Sequence, residues 1–144
     1  MHVSELLERK GSEVVSIPCG TSLKEAARRL VEHRIGALIV SGATGAMAGI
    51  LSERDVARRY ALADAVDDCT VDEVMTRNVI SCTAAHTLEE LADMMSASNI
   101  RHVPVVSPQG GVEGMISIRD IVRYRLDELE TENATLRNLV AVLN

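Results

Sequence analysis

The chain has 144 residues, a formal net charge of −6 and 47% hydrophobic residues, which is typical of one compact soluble domain, or of two very small ones packed as a unit. With no Trp, no Phe and only two Tyr, this acidic chain lacks the charge and the stacking surfaces that nucleic-acid binding needs. No apolar run approaches the roughly 20 residues of a membrane span, so we expect no nucleic-acid or membrane partner.

The cysteines and the N-terminus indicate the compartment. Cys19, Cys69 and Cys82 are an odd number of cysteines without Cys-x-x-Cys spacing. This pattern indicates reduced thiols and not a disulfide framework or a zinc site. Residues 1–11 carry two glutamates and lack the apolar stretch of a signal peptide. We therefore expect a cytoplasmic protein that folds without a metal.

The chain contains two copies of one unit. A shift of 65 residues aligns residues 14–60 with residues 79–125 without a gap. The lead-in segments before the copies also correspond, Val3-Ser-Glu-Leu-Leu with Val71-Asp-Glu-Val-Met. A unit of this size buries too little surface alone, so we expect the two copies to share one core. The identical aligned pairs include Gly49 with Gly114, Ser52 with Ser117, Arg54 with Arg119, and Asp55 with Asp120.

Each copy has the same order of predicted elements, β-α-β-β-α, after a short lead-in helix. The first strands are short and β-branched, the first helices open with capping boxes, and a Gly-rich turn joins the two later strands. The fold class is therefore α/β (α+β). In chain order, the elements are strands at residues 14–17 and 79–82, helices opened by Ser22-x-x-Glu25 and Thr87-x-x-Glu90, strands at residues 37–40 and 103–106, strands ending at Leu51 and Ile116, and helices starting at Ser52 and Ser117.

One motif occurs in both copies, and its residue types are suited to binding a ligand. Gly49-Ile-Leu-Ser-Glu-Arg-Asp55 corresponds to Gly114-Met-Ile-Ser-Ile-Arg-Asp120. The glycine allows a close backbone approach, and the serine stands where a helix N-terminus offers N–H groups to a phosphate. The adjacent arginine can pair with a phosphate, and the carboxylate can accept two hydrogen bonds from a ribose. The alternative is that Ser-x-x-Asp only caps the helix.

The sequence resembles a tandem pair of cystathionine-β-synthase (CBS) domains, also called a Bateman module, over residues 3–125. It is similar to the short stand-alone members of that family. The resemblance predicts a first repeat with its lead-in at residues 3–60, a second at 71–125, and a C-terminal amphipathic helix at 126–144. It rests on the two Gly-x-x-Ser-x-Arg-Asp segments, Arg34-Ile-Gly-Ala-Leu-Ile-Val, Ile100-Arg-His-Val-Pro-Val-Val and Val74-Met-Thr-Arg-Asn-Val-Ile.

The resemblance implies two repeats packed sheet to sheet about a pseudo-twofold axis, with two clefts between them. Family members bind adenosine-containing ligands there, including AMP, ADP, ATP, NAD and S-adenosylmethionine. The resemblance assigns ribose contacts to Asp55 and Asp120 and phosphate contacts to Ser52 and Ser117. Arg101 and His102 are further basic contacts to the phosphate. The base is assigned to Val15 in the Asp120 cleft and to Ile80 in the Asp55 cleft.

The two clefts are expected to be unequal. Arg101 and His102 of the second copy align with Gly36 and Ala37 of the first. The Asp120 cleft is therefore expected to be the more cationic one.

The function expected from these observations is a regulatory module that senses adenine nucleotides and transmits its state to an effector protein. No nucleophile–base pair stands out, so we expect neither an enzyme nor a required cofactor. One alternative is a ligand-free dimerisation or scaffold module. Another is a small hydrolase or redox protein that uses Cys82 or His102.

The C-terminal segment has no counterpart in the first copy and shows a heptad pattern. Two interpretations are open: a parallel leucine zipper that makes a homodimer, or an amphipathic helix that lies on its own domain. Charges at g and e favour the zipper, because Arg125 would face Glu130 of a second copy and Glu132 would face Arg137. Position a holds Leu126, Asn133 and Val140, and position d holds Val122, Leu129, Leu136 and Leu143.

Overall fold

The computed structural model describes residues 1–62 and 68–143, so Asn144 of the C-terminal segment lies outside the described residues. These ranges form an α+β fold with two small sheets and five α-helices. In chain order, the elements are α1 (Val3–Lys10), β1 (Ser16–Pro18), α2 (Leu23–His33), β2 (Ala37–Ser41), β3 (Met47–Ser52), α3 (Glu53–Leu62), a 3₁₀ turn (Val71–Glu73), α4 (Leu88–Ser98), β4 (His102–Val106), β5 (Val112–Ser117) and α5 (Ile118–Leu143).

Both predicted capping boxes open helices. The hydroxyl of Ser22 accepts a hydrogen bond from the Glu25 N–H at 3.1 Å, and the Thr87 hydroxyl accepts one from the Glu90 N–H at the same distance. Each bond satisfies one of the N–H groups that have no partner within the helix. The predictions for the starts of α2 and α4 are therefore confirmed.

The two sheets differ at the first strand of each copy. In the first copy, β1 pairs parallel with β2, and β2 pairs antiparallel with β3. In the second copy, only β4 and β5 form a sheet, and a single isolated bridge joins Cys82 to Val105. The prediction of a strand at residues 79–82 was therefore wrong.

A proline explains this difference. The Ile39 N–H donates to the Val15 carbonyl at 3.0 Å and extends the pairing of the first copy. The residue aligned with Ile39 is Pro104, which has no N–H and cannot make the same bond to the Ile80 carbonyl.

The lead-in of each copy packs against the other copy. Val3 and Leu6 of α1 are buried in the core cluster of the second copy, and Val71 and Met75 are buried in that of the first. The backbone supports the same exchange, because the Val3 N–H donates to the His86 carbonyl at 2.8 Å. The expectation of one shared core was wrong: the buried residues form two clusters, and each is completed by the other copy's lead-in.

The central strands are buried on both faces. On β2, Leu38 belongs to the first cluster, while Ile39, on the opposite face, is 3% exposed and belongs to neither cluster. On β4, Val103 belongs to the second cluster and Pro104 on the opposite face is also buried. Since helices cover only one face of each sheet, the other faces pack against each other, as expected for sheet-to-sheet packing.

The motif glycines make room for the exchanged lead-ins. A Cβ atom at Gly49 would lie 2.8 Å from the Thr76 carbonyl oxygen and 2.7 Å from the Met75 Sδ. A Cβ atom at Gly114 would lie 2.6 Å from a terminal carbon of Leu7. The close approach expected of these glycines is therefore made by the protein's own lead-ins.

We predict that Gly49→Ala lowers the free energy of unfolding by about 1–3 kcal/mol, the usual range for overpacking a core. Gly114→Ala is the matched control and should cost less, because the end of the Leu7 side chain can rotate away and the Thr76 backbone cannot. Urea denaturation of both variants measures the difference. Equal losses, or a larger loss for Gly114→Ala, would contradict this account.

Candidate ligand-binding clefts

Two clefts lie at the junction of the copies, and each contains one copy of the motif. The larger has a volume of about 770 Å³ and the smaller about 330 Å³. Both volumes fall in the range of small-molecule sites. Ser117, Arg119 and Asp120 line the larger cleft. Ser52, Arg54, Asp55 and Ile80 line the smaller one.

The serine and the aspartate form the same hydrogen bonds in both copies. Asp55 Oδ2 accepts from the Ser52 N–H at 2.9 Å and from the Ser52 hydroxyl at 3.0 Å. Asp120 Oδ2 accepts from the Ser117 N–H at 2.8 Å and from its hydroxyl at 3.0 Å. Each serine hydroxyl in turn accepts from the aspartate N–H at 3.2 Å. The capping box is therefore real in both copies, and it uses only one carboxylate oxygen.

Lys10 distinguishes the larger cleft. Its Nζ lies 2.7 Å from Asp120 Oδ2 and donates to the Met115 carbonyl at 2.6 Å. Burial raises the pKa of Asp120, but hydrogen bonds from Lys10 and Ser117 outweigh burial and hold that pKa below its usual value. In the smaller cleft, the nearest cation to Asp55 is Arg58, with its Nη1 3.9 Å from Oδ1. Sequence reasoning missed Lys10, which lies 110 residues from its partner.

Arg101 and His102 form a wall between the clefts and line both of them. The His102 ring packs against Gly36, where an added Cβ would lie 2.8 Å from the ring. Burial lowers the pKa of His102, against the opposing effect of the Glu53 and Asp120 carboxylates. This shift favours the neutral imidazole, which can make hydrogen bonds.

The expected source of asymmetry was therefore wrong, because Arg101 serves both clefts. Cationic side chains exceed acidic ones by one in each lining. The larger cleft has Lys10, Arg34, Arg101 and Arg119 against Glu13, Glu53 and Asp120. The smaller cleft has Arg54, Arg58 and Arg101 against Glu53 and Asp55. What differs is the volume and the lysine on Asp120.

The backbone carbonyls of Ile80 and Val15, the two residues proposed to contact the base, differ in their hydrogen bonding. Ile80 lines the smaller cleft, and among the described residues its carbonyl receives no hydrogen bond, because Pro104 replaces the donor. Val15 lines neither cleft. Its carbonyl is occupied by the Ile39 N–H, and its side chain packs against the first core cluster. Glu13, two residues earlier, lines the larger cleft instead.

Arg54 is held by the protein itself. Its guanidinium donates to the Asn99 carbonyl at 2.9 Å, which ties α3 of the first copy to the end of α4 in the second. Arg34, which aligns with Asn99, ends α2 in the left-handed conformation with φ 54° and lines the larger cleft. Sequence reasoning missed Arg34, although its alignment with a second helix end was visible in the repeat.

The CBS domain family model matches residues 3–62 and 71–127. This is the class of protein that the duplicated fold and the paired clefts define. The chain belongs to the CBS domain family and carries two CBS repeats.

Solved structures of CBS pairs are similar to this chain. A CBS-domain-containing protein from Agrobacterium tumefaciens is 38% identical, with a TM-score of 0.81 over 86% of this chain and 92% of that one. A CBS domain protein from Pyrobaculum aerophilum, complexed with AMP, is 30% identical, with a TM-score of 0.78 over 91% and 99%. The CBS domain pair of protein MJ0100, in complex with 5-methylthioadenosine and S-adenosyl-L-methionine, is 30% identical, with a TM-score of 0.80 over 89% and 98%.

Curated relatives include both short and long proteins. The CBS domain-containing protein YhcV of Bacillus subtilis is 25% identical over 95% of this chain and 96% of its own length. The L-aspartate semialdehyde sulfurtransferase of Methanocaldococcus jannaschii is 36% identical over 71% of this chain, but the match spans only 19% of that enzyme.

In residues 1–62 and 68–143 no helix has the length and apolarity needed to cross a bilayer. The same residues contain no cluster of three potential metal-binding His, Cys, Asp or Glu side chains.

We predict that Lys10→Met raises the pKa of Asp120, since burial then acts with less opposition. A lowered carboxyl pKa contributes stability that is present above the unfolded value of 3.8 and is lost as the pH falls through the folded value. Lys10→Met should therefore reduce stability at neutral pH and move the acid loss to higher pH.

NMR titration of the Asp120 carboxyl carbon and urea unfolding across this pH range measure both effects. Lys24→Met is the control, because Lys24 is an exposed lysine on α2 that lines neither cleft. An unchanged Asp120 pKa in Lys10→Met would contradict the assignment.

Proposed function

We propose that this protein is a regulatory module that binds adenosine-containing ligands in one or both clefts and transmits their presence to an effector protein. The ligands proposed are AMP, ADP, ATP, NAD or S-adenosylmethionine, with no further cofactor required. We also propose that the protein acts in the cytoplasm and as a homodimer. The observation that carries the proposal is the pair of matching Ser–Asp arrangements at the N-termini of α3 and α5, each lining a cleft.

The aspartates have an oxygen to spare for a ribose. Capping uses Oδ2 of Asp55 and of Asp120 and leaves Oδ1 to accept hydrogen bonds from vicinal hydroxyls. Both carboxylates lie partly in the clefts, with side-chain exposures of 12% and 20%. Hydrogen bonds to a charged acceptor in such a place are stronger than those between neutral groups. Capping and ligand binding are therefore compatible roles of one side chain.

Phosphates have suitable partners in the larger cleft. Arg34, Arg101 and Arg119 line it together with the N-terminus of α5. Arginine forks and the positive end of a helix dipole both stabilise phosphate oxygens. The larger volume also leaves room for more than one phosphate.

The base finds a backbone acceptor in the smaller cleft. The Ile80 carbonyl is available there and can accept from the amino group of adenine, whereas the Val15 carbonyl is already bonded within the first sheet. The solved complexes with AMP and with S-adenosyl-L-methionine support the ligand class, since those are proteins similar to this chain.

Helix α5 connects the larger cleft to a region beyond the module. Asp120 stands in the first turn of α5, and that helix continues to Leu143 as one element of 26 residues. The equivalent helix of the first copy, α3, is 10 residues long. A ligand that shifts the N-terminus of α5 therefore also shifts the outer part of this long helix.

The alternatives have less support. A ligand-free scaffold accounts for the two capping boxes but not for the two clefts that they line. A cysteine-based reaction at Cys82 is disfavoured, because burial raises the pKa of this thiol to about 11 and removes the reactive thiolate at neutral pH.

We predict that Asp120→Asn weakens adenine-nucleotide binding at the larger cleft roughly 10- to 150-fold, and that Asp55→Asn does so at the smaller one. The asparagine oxygen can keep the cap while its NH₂ group replaces Oδ1, so ligand binding is weakened without loss of the helix. Calorimetric titration with AMP, ATP, NAD and S-adenosylmethionine measures the effect, and Asp127→Asn on the exposed side of α5 is the control. If wild type binds none of these ligands, or if neither variant changes the affinities, the proposal fails.

A second prediction separates the shared wall from the individual clefts. Arg101→Ala should weaken phosphate-bearing ligands at both clefts, because Arg101 lines both. Arg34→Ala should weaken binding at the larger cleft alone. Salt should reduce affinity at each cleft through screening of the same charges. Calorimetry with ATP at two salt concentrations tests this, and an Arg101→Ala effect confined to one cleft would refute it.

A further inference from the structure

The outer part of α5 does not pack on the module. Every residue from 129 to 143 is exposed. Large apolar side chains in this part of the helix remain in solvent: Leu129 is 53% exposed, Leu136 58% and Val140 56%. The alternative of an amphipathic helix that lies on its own domain is therefore ruled out for these residues.

Most of the exposed apolar residues of α5, together with Asn133, form one straight stripe, and Leu139 and Val142 lie off it. We call it the α5 stripe, and it occupies heptad positions a and d. Its members are Val122, Leu126, Leu129, Asn133, Leu136, Val140 and Leu143.

The α5 stripe is distinct from the face that holds the helix on its module. Ile121 is buried in the second core cluster, and Tyr124 packs against that cluster. At about 100° per residue, the α5 stripe is centred roughly a third of a turn from this module-facing side. The stripe is therefore not a continuation of the core.

We propose that the α5 stripe binds the same stripe of a second copy of this chain in a parallel, two-stranded coiled coil. This deepens the homodimer of the proposed function by assigning it to one face of one helix, and it does not depend on which ligand binds. The stripe spans residues 122–143, about three heptads and roughly 32 Å of helix.

Charges beside the α5 stripe match a second copy. In a parallel pair, position g of one helix faces position e of the next heptad of the other. Glu132 at g then faces Arg137 at e of the second copy, and Arg125 faces Glu130. Within one chain, Arg125 already pairs with Glu128 at 2.6 Å, whereas neither Glu132 nor Arg137 forms an ion pair in the described residues. The Glu132–Arg137 pair is therefore the one that needs a second copy.

Asn133 sets the orientation. It is the polar residue of the stripe and lies at its centre. In a parallel pair it meets Asn133 of the second copy, and the two amides satisfy each other. In an antiparallel pair, a faces d, so the amide would be buried against leucine without a partner, at a considerable free-energy cost. The parallel arrangement is the one that satisfies this side chain.

Sedimentation equilibrium of the full chain tests the apolar contact. Wild type should be a dimer at micromolar concentration, and Leu129→Ala with Leu136→Ala should raise the dimer dissociation constant at least tenfold. Val142→Ala is the matched control: Val142 is 83% exposed on the same helix but lies off the stripe at position c, so its dissociation constant should be unchanged. A monomeric wild type, or a double variant that dimerises like wild type, overturns the proposal.

A charge swap tests the orientation. Glu132→Arg should weaken the dimer, because two arginines then face each other, and the double variant Glu132→Arg/Arg137→Glu should restore it. If the double variant does not restore the dimer, the parallel arrangement is overturned. Nucleotide titration of the same variants keeps the two proposals separate. Ligand binding that persists in the monomeric variant supports the proposed ligand-binding function. The assignment of the dimer to the α5 stripe is judged by sedimentation alone.

Discussion

The exchange of lead-in segments is the packing constraint on which both clefts depend. Helix α1 completes the core of the second copy, and Val71 and Met75 complete that of the first. Neither copy can bury its apolar residues without the other, so the two sheets are held face to face. The clefts lie along this junction, and their shape follows from an exchange that the motif glycines make sterically possible.

This exchange and a proline on β4 together make the clefts unequal. The exchange carries the end of α1 across to the second copy, where Lys10 reaches Asp120 and lowers its pKa. On the other side, Pro104 removes one strand hydrogen bond and leaves the Ile80 carbonyl open to the smaller cleft. A duplicated motif thus lies in two different environments: one has an additional cation and a larger volume, and the other has an additional backbone acceptor. Chemical inequality arises from residues outside the motif.

Helix capping and ligand recognition share one set of atoms. The cap orders the Ser–Asp pair before any ligand arrives, because Oδ2 and the serine hydroxyl hold each other in place. A side chain whose conformation is already restricted loses less entropy on binding. The interpretation of Ser-x-x-Asp as a structural cap and its interpretation as a binding motif were alternatives in the sequence, and the geometry allows both.

The capping boxes and the position of the motif at a strand-to-helix junction were predictable from the sequence, because each depends on residues within a few positions of one another. The repeat was predictable because the chain matches itself after a shift of 65 residues. The heptad pattern after Tyr124 was equally visible. Local periodicity, however, carries no information on which copy a segment packs against. Only the tertiary structure decided that α1 crosses to the second copy, that Lys10 pairs with Asp120, that Arg101 lines both clefts and that residues 129–143 stay clear of the module. These are contacts between residues far apart in the chain, and they are determined by how two apolar surfaces fit together once both copies have formed. The missing strand at residues 79–82 combines local and tertiary information. Pro104 is evident in the sequence, but its loss of a strand hydrogen bond could be predicted only by knowing which segment it would face.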